Sequence, residues 1–240
     1  INKKNIQVKN IIVAGAGKGV GLKTAALLAE QNQVISISRN MTSELEALNT
    51  RFYQADLAKD NLEQLNDLPD SIHGLVYCPG SINLKPFNRL CKQDFQNDFE
   101  QNVLGAVSLI QKILPGLKRA NGASIVLFST VASTQGMPFH ASIATSKSAV
   151  EGLAKSLAAE LAVSKIRVNV IAPSLLDTSL SGFLLNTSEK REAADKRHPL
   201  QRIGTAEEIA QLVSFLLNDN SSWITGQVIG ADGGLGSLKT

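Results

Sequence analysis

Short apolar runs recur along the chain with helical patterns between them. Ile11-Ile12-Val13-Ala14 precedes an apolar-periodic helix near 19–31, which leads to Val34-Ile35-Ser36-Ile37 and a weak helix near 43–49. Further runs occur at Phe52-Tyr53, 74–78, 124–128, 168–171 and 227–229. Most do not alternate apolar with polar residues, as expected of strands buried on both faces of a parallel sheet. Strands alternating with helices predict βαβ units. The expected architecture is α/β: a single-domain Rossmann fold over 1–240, with a seven-stranded parallel sheet flanked by helices on both faces.

Two later helices carry the clearest periodicity. Val150, Leu153, Ala154, Leu157, Ala158 and Leu161 line up on one face of a helix near 146–163. Ile209, Leu212, Val213, Leu216 and Leu217 repeat the pattern behind a Thr205-x-x-Glu208 capping box. Between Ser174 and Gly204 the rhythm fails, and Glu189, Lys190, Arg191, Glu192, Asp195, Lys196 and Arg197 cluster. The segment at about 175–203 reads as a substrate loop or lid, with a solvated surface insertion as the alternative. His198-Pro199 reads as part of a loop.

Composition narrows the possibilities. With 43% hydrophobic and 19% charged residues in 240, the chain can bury a large core. A net charge of +3 without a dense basic block gives no electrostatic footprint for nucleic acid or a membrane surface. The longest uncharged stretch, 120–146, is interrupted by Ser124, Ser129, Thr130, Ser133, Thr134 and Gln135, so no membrane span is expected. The start of the chain, with Lys3, Lys4 and Lys9, lacks the apolar stretch of a secretory signal. Cys78 and Cys91 are too few for a disulfide framework, and a reducing cytoplasm is the expected compartment. His73, His140 and His198 have no metal-ligand spacing, so no metal site is expected.

The first strand runs into Gly15-Ala16-Gly17-Lys18-Gly19-Val20-Gly21, which opens the first helix. The spacing is Gly-x-x-x-Gly-x-Gly at 15, 19 and 21. Glycines there let backbone N–H groups and the positive helix end approach a pyrophosphate. At the end of the second strand, where an acid would select an unphosphorylated ribose, stand Ser38 and Arg39. Arg39 can meet a 2′-phosphate bidentately and Lys18 can add a second charge, which predicts NADP(H) over NAD(H). Two ordinary solvated cations are the plainer alternative.

With these motifs in place, residues 8–236 resemble the short-chain dehydrogenase/reductase family, classical type. That family follows its glycine loop with an Asp, an Asn-Ala-Gly-like turn, a helix Asn, a Ser and Tyr-x-x-x-Lys. Here Asp56, with Leu57 beside it, matches the adenine-contacting Asp, Cys78-Pro79-Gly80 stands at the Asn-Ala-Gly turn, and Asn102 matches the helix Asn. Pro173-Ser174 resembles the family's Pro-Gly beside the nicotinamide, Thr178 matches the carboxamide contact, and Lys147 matches the Lys. The ending, Ile224-Thr225-Gly226-Gln227 and Asp232-Gly233-Gly234, is most similar to the branch that includes the β-ketoacyl carrier-protein reductases.

Four residues before Lys147, where the family has its general-acid Tyr, the chain has Ile143. Thr130 stands at the usual Ser, and His140 and Ser142 are the nearby groups able to replace the acid. The resemblance therefore implies an NADP(H)-dependent oxidoreductase acting on a small carbonyl or alcohol with an atypical active site. A non-catalytic NADP(H)-binding sensor or regulatory subunit is the alternative. A homotetramer or homodimer is expected, from the resemblance and because Phe95, Phe99, Val103, Val107, Ile110 and Leu114, on a helix near 93–114, make a wider stripe than one sheet face requires.

Overall fold

In the computed structural model, which describes residues 8–239, the apolar runs become strands β1 (Asn10–Ala14), β2 (Gln33–Ser38), β3 (Arg51–Gln54), β4 (Gly74–Tyr77), β5 (Ala123–Phe128), β6 (Ile166–Pro173) and, after a two-stranded ribbon, β9 (Val228–Ala231). The basic start at Lys3 and Lys4 lies outside the described residues. The seven strands pair in parallel, as the sequence predicts, and their order is β3-β2-β1-β4-β5-β6-β9. The order reverses beside β1, which opens a crevice at the carboxyl ends of β1 and β4.

Successive residues of one strand face opposite layers, and both layers are apolar. Ile12, Ile35, Leu75, Ile125 and Val168 pack with α4 (Gly105–Arg119) and α5 (Ala141–Leu161), through Leu109, Ile113, Val150 and Ala154. Ile11, Val13, Val34, Val76 and Val126 pack with α1 (Gly19–Ala29), the short α2 (Ser43–Glu46) and α7 (Ala206–Leu217), through Ala25, Leu28, Leu45, Val213 and Leu216. The capping box at α7 is present: Glu208 N–H donates to Thr205 Oγ1 at 3.2 Å, and Thr205 N–H donates to Glu208 Oε2 at 2.9 Å.

Three expectations change. The helix near 146–163 starts five residues earlier, at Ala141, because its first turn is built from small residues with little periodicity. The helix near 93–114 is α3 (Lys92–Phe99) and α4 joined by a π turn over Glu100–Leu104, where Gly105 N–H bonds to the carbonyl of Glu100. The π turn carries an extra residue, so the apolar face changes phase at that point. α3 packs on α5 while α4 lies on the sheet, so the phase change accounts for a stripe that reads as too wide for one helix.

The third change concerns 174–204, which is folded. Its ends pair as β7 (Leu176–Asp177) and β8 (Gly204–Thr205), and α6 (Ser188–Lys196) lies between them. Leu185, Ala194 and Ile203 form a small core of their own. Arg191 of α6 holds Asp177 bidentately, at 2.9 and 3.1 Å. Charge on the outer face of α6 hides that packing from a reading of hydrophobic period.

The glycine loop is held by close backbone contacts. Gly15 has φ +77°, and a Cβ there would meet Pro79 N at 3.0 Å. A Cβ on Gly21 would run into the carbonyl oxygen of Gly15. Gly21→Ala should therefore destabilise the fold by about 1–3 kcal/mol, the usual range for overpacking. The expected reading is a lower urea midpoint at unchanged slope, and a midpoint equal to the parent's would contradict the close approach.

Candidate functional site

The carboxyl ends of β1, β2, β4, β5 and β6 open onto one cleft of about 620 Å³. Gly15, Gly17, Lys18, Gly19, Val20 and Gly21 form one wall of it, and Ser38, Arg39, Asp56 and Leu57 border it at the next strand ends. Cys78, Pro79, Gly80, Pro173 and Thr178 also line it, together with Thr130, His140, Ile143 and Lys147. The strand ends and the loops that follow them thus bring residues as far apart as Gly15 and Leu235 onto a single surface. Asn102 stands just behind this surface: a Cβ on Gly80 would lie 3.5 Å from both Asn102 Oδ1 and Lys147 Nζ.

The π turn positions Asn102. Asn102 Nδ2 donates to the carbonyl of Asp98 at 2.8 Å and to Ser146 Oγ at 3.0 Å, and Tyr77 Oη donates to the carbonyl of Gln101 at 2.8 Å. Asn102 Oδ1 is buried without a partner among the described residues. Lys147 Nζ donates to the carbonyl of Phe128 at 3.0 Å, and burial pushes its ammonium down to about 8. It remains a cation at neutral pH. Burial also pushes the Cys78 thiol up to about 12, so that group is neutral beside the lysine.

The hydroxyls divide by orientation. Thr130 Oγ1 accepts from Ala132 N–H at 3.3 Å, which leaves its hydrogen free to donate. Its neighbour Ser129 donates to Glu151 Oε1 at 2.5 Å, so its hydrogen is committed. Ser142 is 1% exposed and donates to Asp98 Oδ2 at 2.6 Å, with Ser81 on the other carboxyl oxygen at 2.6 Å. Ser142 therefore braces helix α5 against α3 and is absent from the cleft lining, which removes it as a replacement acid. His140 does line the cleft, with Nδ1 held 2.6 Å from the carbonyl of Pro138. Ile143 is buried one helical turn before Lys147 and faces the same cleft.

His198 lies in the turn after α6, as the sequence predicts, but its burial and its partner are not legible there. It is 2% exposed, in the cleft wall, with Nδ1 2.8 Å from the carbonyl of Ala194 and Nε2 2.8 Å from Ser174 Oγ. Its partner lies 24 residues away, so nothing local in the sequence marks it.

The glycine cradle, the cationic Lys147 and the unpartnered Asn102 Oδ1 fit a dinucleotide. Among the described residues no cluster of His, Cys, Asp or Glu could hold a metal ion, and no helix is long and apolar enough to cross a membrane.

Comparison with known proteins agrees with this geometry. A family model described as enoyl-(acyl carrier protein) reductase matches residues 15–236. The 3-oxoacyl-acyl-carrier-protein reductase FabG of Thermotoga maritima is 32% identical, over 96% of this chain and 98% of that protein. A short-chain dehydrogenase family structure from Francisella tularensis is 30% identical with a TM-score of 0.88, covering 96% of this chain and 100% of that one. The structure of ElxO with NADP bound is 26% identical with a TM-score of 0.88, covering 97% and 100%. With the parallel seven-stranded sheet and the cleft at its switch point, these matches make the chain a member of the classical short-chain dehydrogenase/reductase family of oxidoreductases.

Proposed function

We propose that the protein is an NADP(H)-dependent oxidoreductase that interconverts a carbonyl and an alcohol on a small substrate, with Ile143 at the position of the family's general-acid tyrosine. The observation that carries this reading is the convergence of Lys147 Nζ and the unpartnered Asn102 Oδ1 beside Gly80. A buried cation and a buried unpaired acceptor are costly unless a ligand or its solvent completes them. The NADP bound to ElxO and the NADPH bound to a tyrosine-to-phenylalanine variant of ElxO support the choice of cofactor.

When bound, the nicotinamide supplies or takes up the hydride. The residues of this chain have the remaining tasks. The backbone at Gly15, Gly17, Gly19, Val20 and Gly21 receives the pyrophosphate, Ser38, Arg39 and Lys18 the 2′-phosphate, and Asp56 and Leu57 border the adenine. Cys78, Pro79, Gly80, Pro173 and Thr178 hold the nicotinamide end, and Lys147 donates to its ribose. Thr130 donates a hydrogen bond to the carbonyl oxygen, and His140 is the candidate proton donor in place of a tyrosine. Folding back from β7 to β8, the segment at about 175–203 closes the substrate side.

Single-turnover absorbance with bound NADPH and a panel of carbonyls tests the assignment. Loss of the reduced-nicotinamide signal with at least one carbonyl is expected. Tight NADPH binding with no oxidation across the panel would favour the non-catalytic sensor or regulatory subunit. The two free cysteines suit a reducing cytoplasm.

The assembly proposed is a homotetramer or homodimer, as is usual in the family. Its support in this chain is a shallow groove between α3 and α5, lined by Phe95 and the exposed Phe99, with Leu104 exposed at the end of the π turn. Light scattering at micromolar concentration should give a multiple of the 25.6 kDa chain mass. A monomer mass would overturn the proposal.

A further inference from the structure

The cleft has a polar corner that the proposed cofactor contacts do not use. His198 Nδ1 faces the carbonyl of Ala194, which can only accept, so Nδ1 carries the hydrogen. In the neutral ring Nε2 is then the acceptor, and it takes the hydroxyl hydrogen of Ser174 at 2.8 Å. A deeply buried imidazole thus fixes the rotamer of a hydroxyl that is itself half-exposed on the cleft wall. Arg197, the residue before it, is exposed and lines the same cleft, and among the described residues no acid or carbonyl holds its guanidinium. The arginines of the lid that serve the fold are paired: Arg191 with Asp177 and Arg202 with Glu208. Ile82, Leu84, Met137, Leu180 and Leu184 make the facing walls apolar.

We propose that Arg197 and Ser174, the latter positioned by His198, form a subsite for a carboxylate, and that the substrates are oxo acids or hydroxy acids with an apolar chain. The inference rests on the oxidoreductase reading for its chemistry and adds the substrate class. A guanidinium offers paired N–H donors to a carboxylate, and the apolar lining takes the rest of the chain. Ser174 contributes an oriented hydroxyl at the same corner. An ester or ketone of equal length would fill the apolar part and leave Arg197 without a counter-charge.

Calorimetric titration of 2-oxooctanoate, 4-oxooctanoate and their methyl esters, into protein with and without NADP⁺, provides the test. At least one acid should bind about tenfold or more tightly than its ester, the scale of one charge-assisted hydrogen bond. Arg197→Ala and Ser174→Ala should each remove most of that preference, and Arg197→Ala should leave NADPH affinity within about twofold of the parent. His198→Ala should weaken acid binding in the parent and add little on top of Ser174→Ala, a coupling that a merely structural histidine would not produce. Equal binding of acids and esters overturns the proposal, as does an acid preference that survives Arg197→Ala. A matching fall in NADPH affinity in Arg197→Ala also overturns it, by assigning the guanidinium to the cofactor. If neither nicotinamide cofactor binds but an acid does so through Arg197, the subsite stands and the oxidoreductase reading falls.

Discussion

Ile143→Tyr should raise the rate of carbonyl reduction by about 100-fold, the lower part of the range for one positioned general acid. Ile143 is buried, lines the cleft and precedes Lys147 by one helical turn, so a phenol there projects on the same face as the ammonium. A cation nearby lowers a phenol's pKa and readies it to donate. Thr130, with its hydrogen free, completes the pair of donors. Two factors hold the gain down: the threonine methyl adds bulk, and the pocket is packed around an isoleucine. The measurement is single-turnover loss of NADPH absorbance, with His140→Ala run in parallel. If wild type reduces a carbonyl and His140→Ala abolishes this with NADPH affinity unchanged, His140 is the acid. An Ile143→Tyr protein that binds NADPH and stays inert would show that more than one group is missing.

Arg39→Ala should weaken NADPH binding by roughly 10- to 150-fold and leave NADH nearly unaffected, matching a loss of about 1.5–3 kcal/mol for a hydrogen bond to a charged group. Arg39 borders the cleft at the end of β2, where Gln54 Nε2 anchors its backbone carbonyl at 2.9 Å. Neither Arg39 nor Lys18 is paired with an acid among the described residues, so neither must break a contact to receive a phosphate. Ser38 is small and turned onto the carbonyl of Asn40 at 2.5 Å, which leaves no carboxylate to repel the ligand. Fluorescence titration of both cofactors decides the matter. Equal affinities in the parent protein, or tighter NADH, would contradict it.

The parts of the fold legible in the sequence are those that depend on local pattern. Ile11 to Ala14 and Ser124 to Phe128 read as strands because a doubly covered sheet needs apolar residues on both of their faces. The glycine loop was legible for the same reason: backbone approach demands that residue type, and Gly15 and Gly21 are where it is needed. Asn102 is legible as a candidate site residue, but the π turn that aims it is not, since an added residue in a helix leaves no compositional trace. Ser142 looked available because it neighbours Ile143, while its burial against Asp98 is a tertiary fact. His198, in a charged stretch before a proline, carries the local marks of a surface turn. Only the path of the turn after α6, back to the end of β6, brings it to Ser174.

The ribbon of β7 and β8 has an evolutionary consequence. Leu176 pairs with Gly204 and Asp177 with Thr205, so everything between 178 and 203 leaves the scaffold and returns to it at neighbouring points. The entropy of closing such a loop grows only logarithmically, and doubling its length costs about 0.6 kcal/mol. The segment also carries its own miniature core. It can therefore be lengthened, trimmed or exchanged as a cassette while the sheet keeps its register, so that one wall of the cleft can be reshaped at nearly constant stability of the frame.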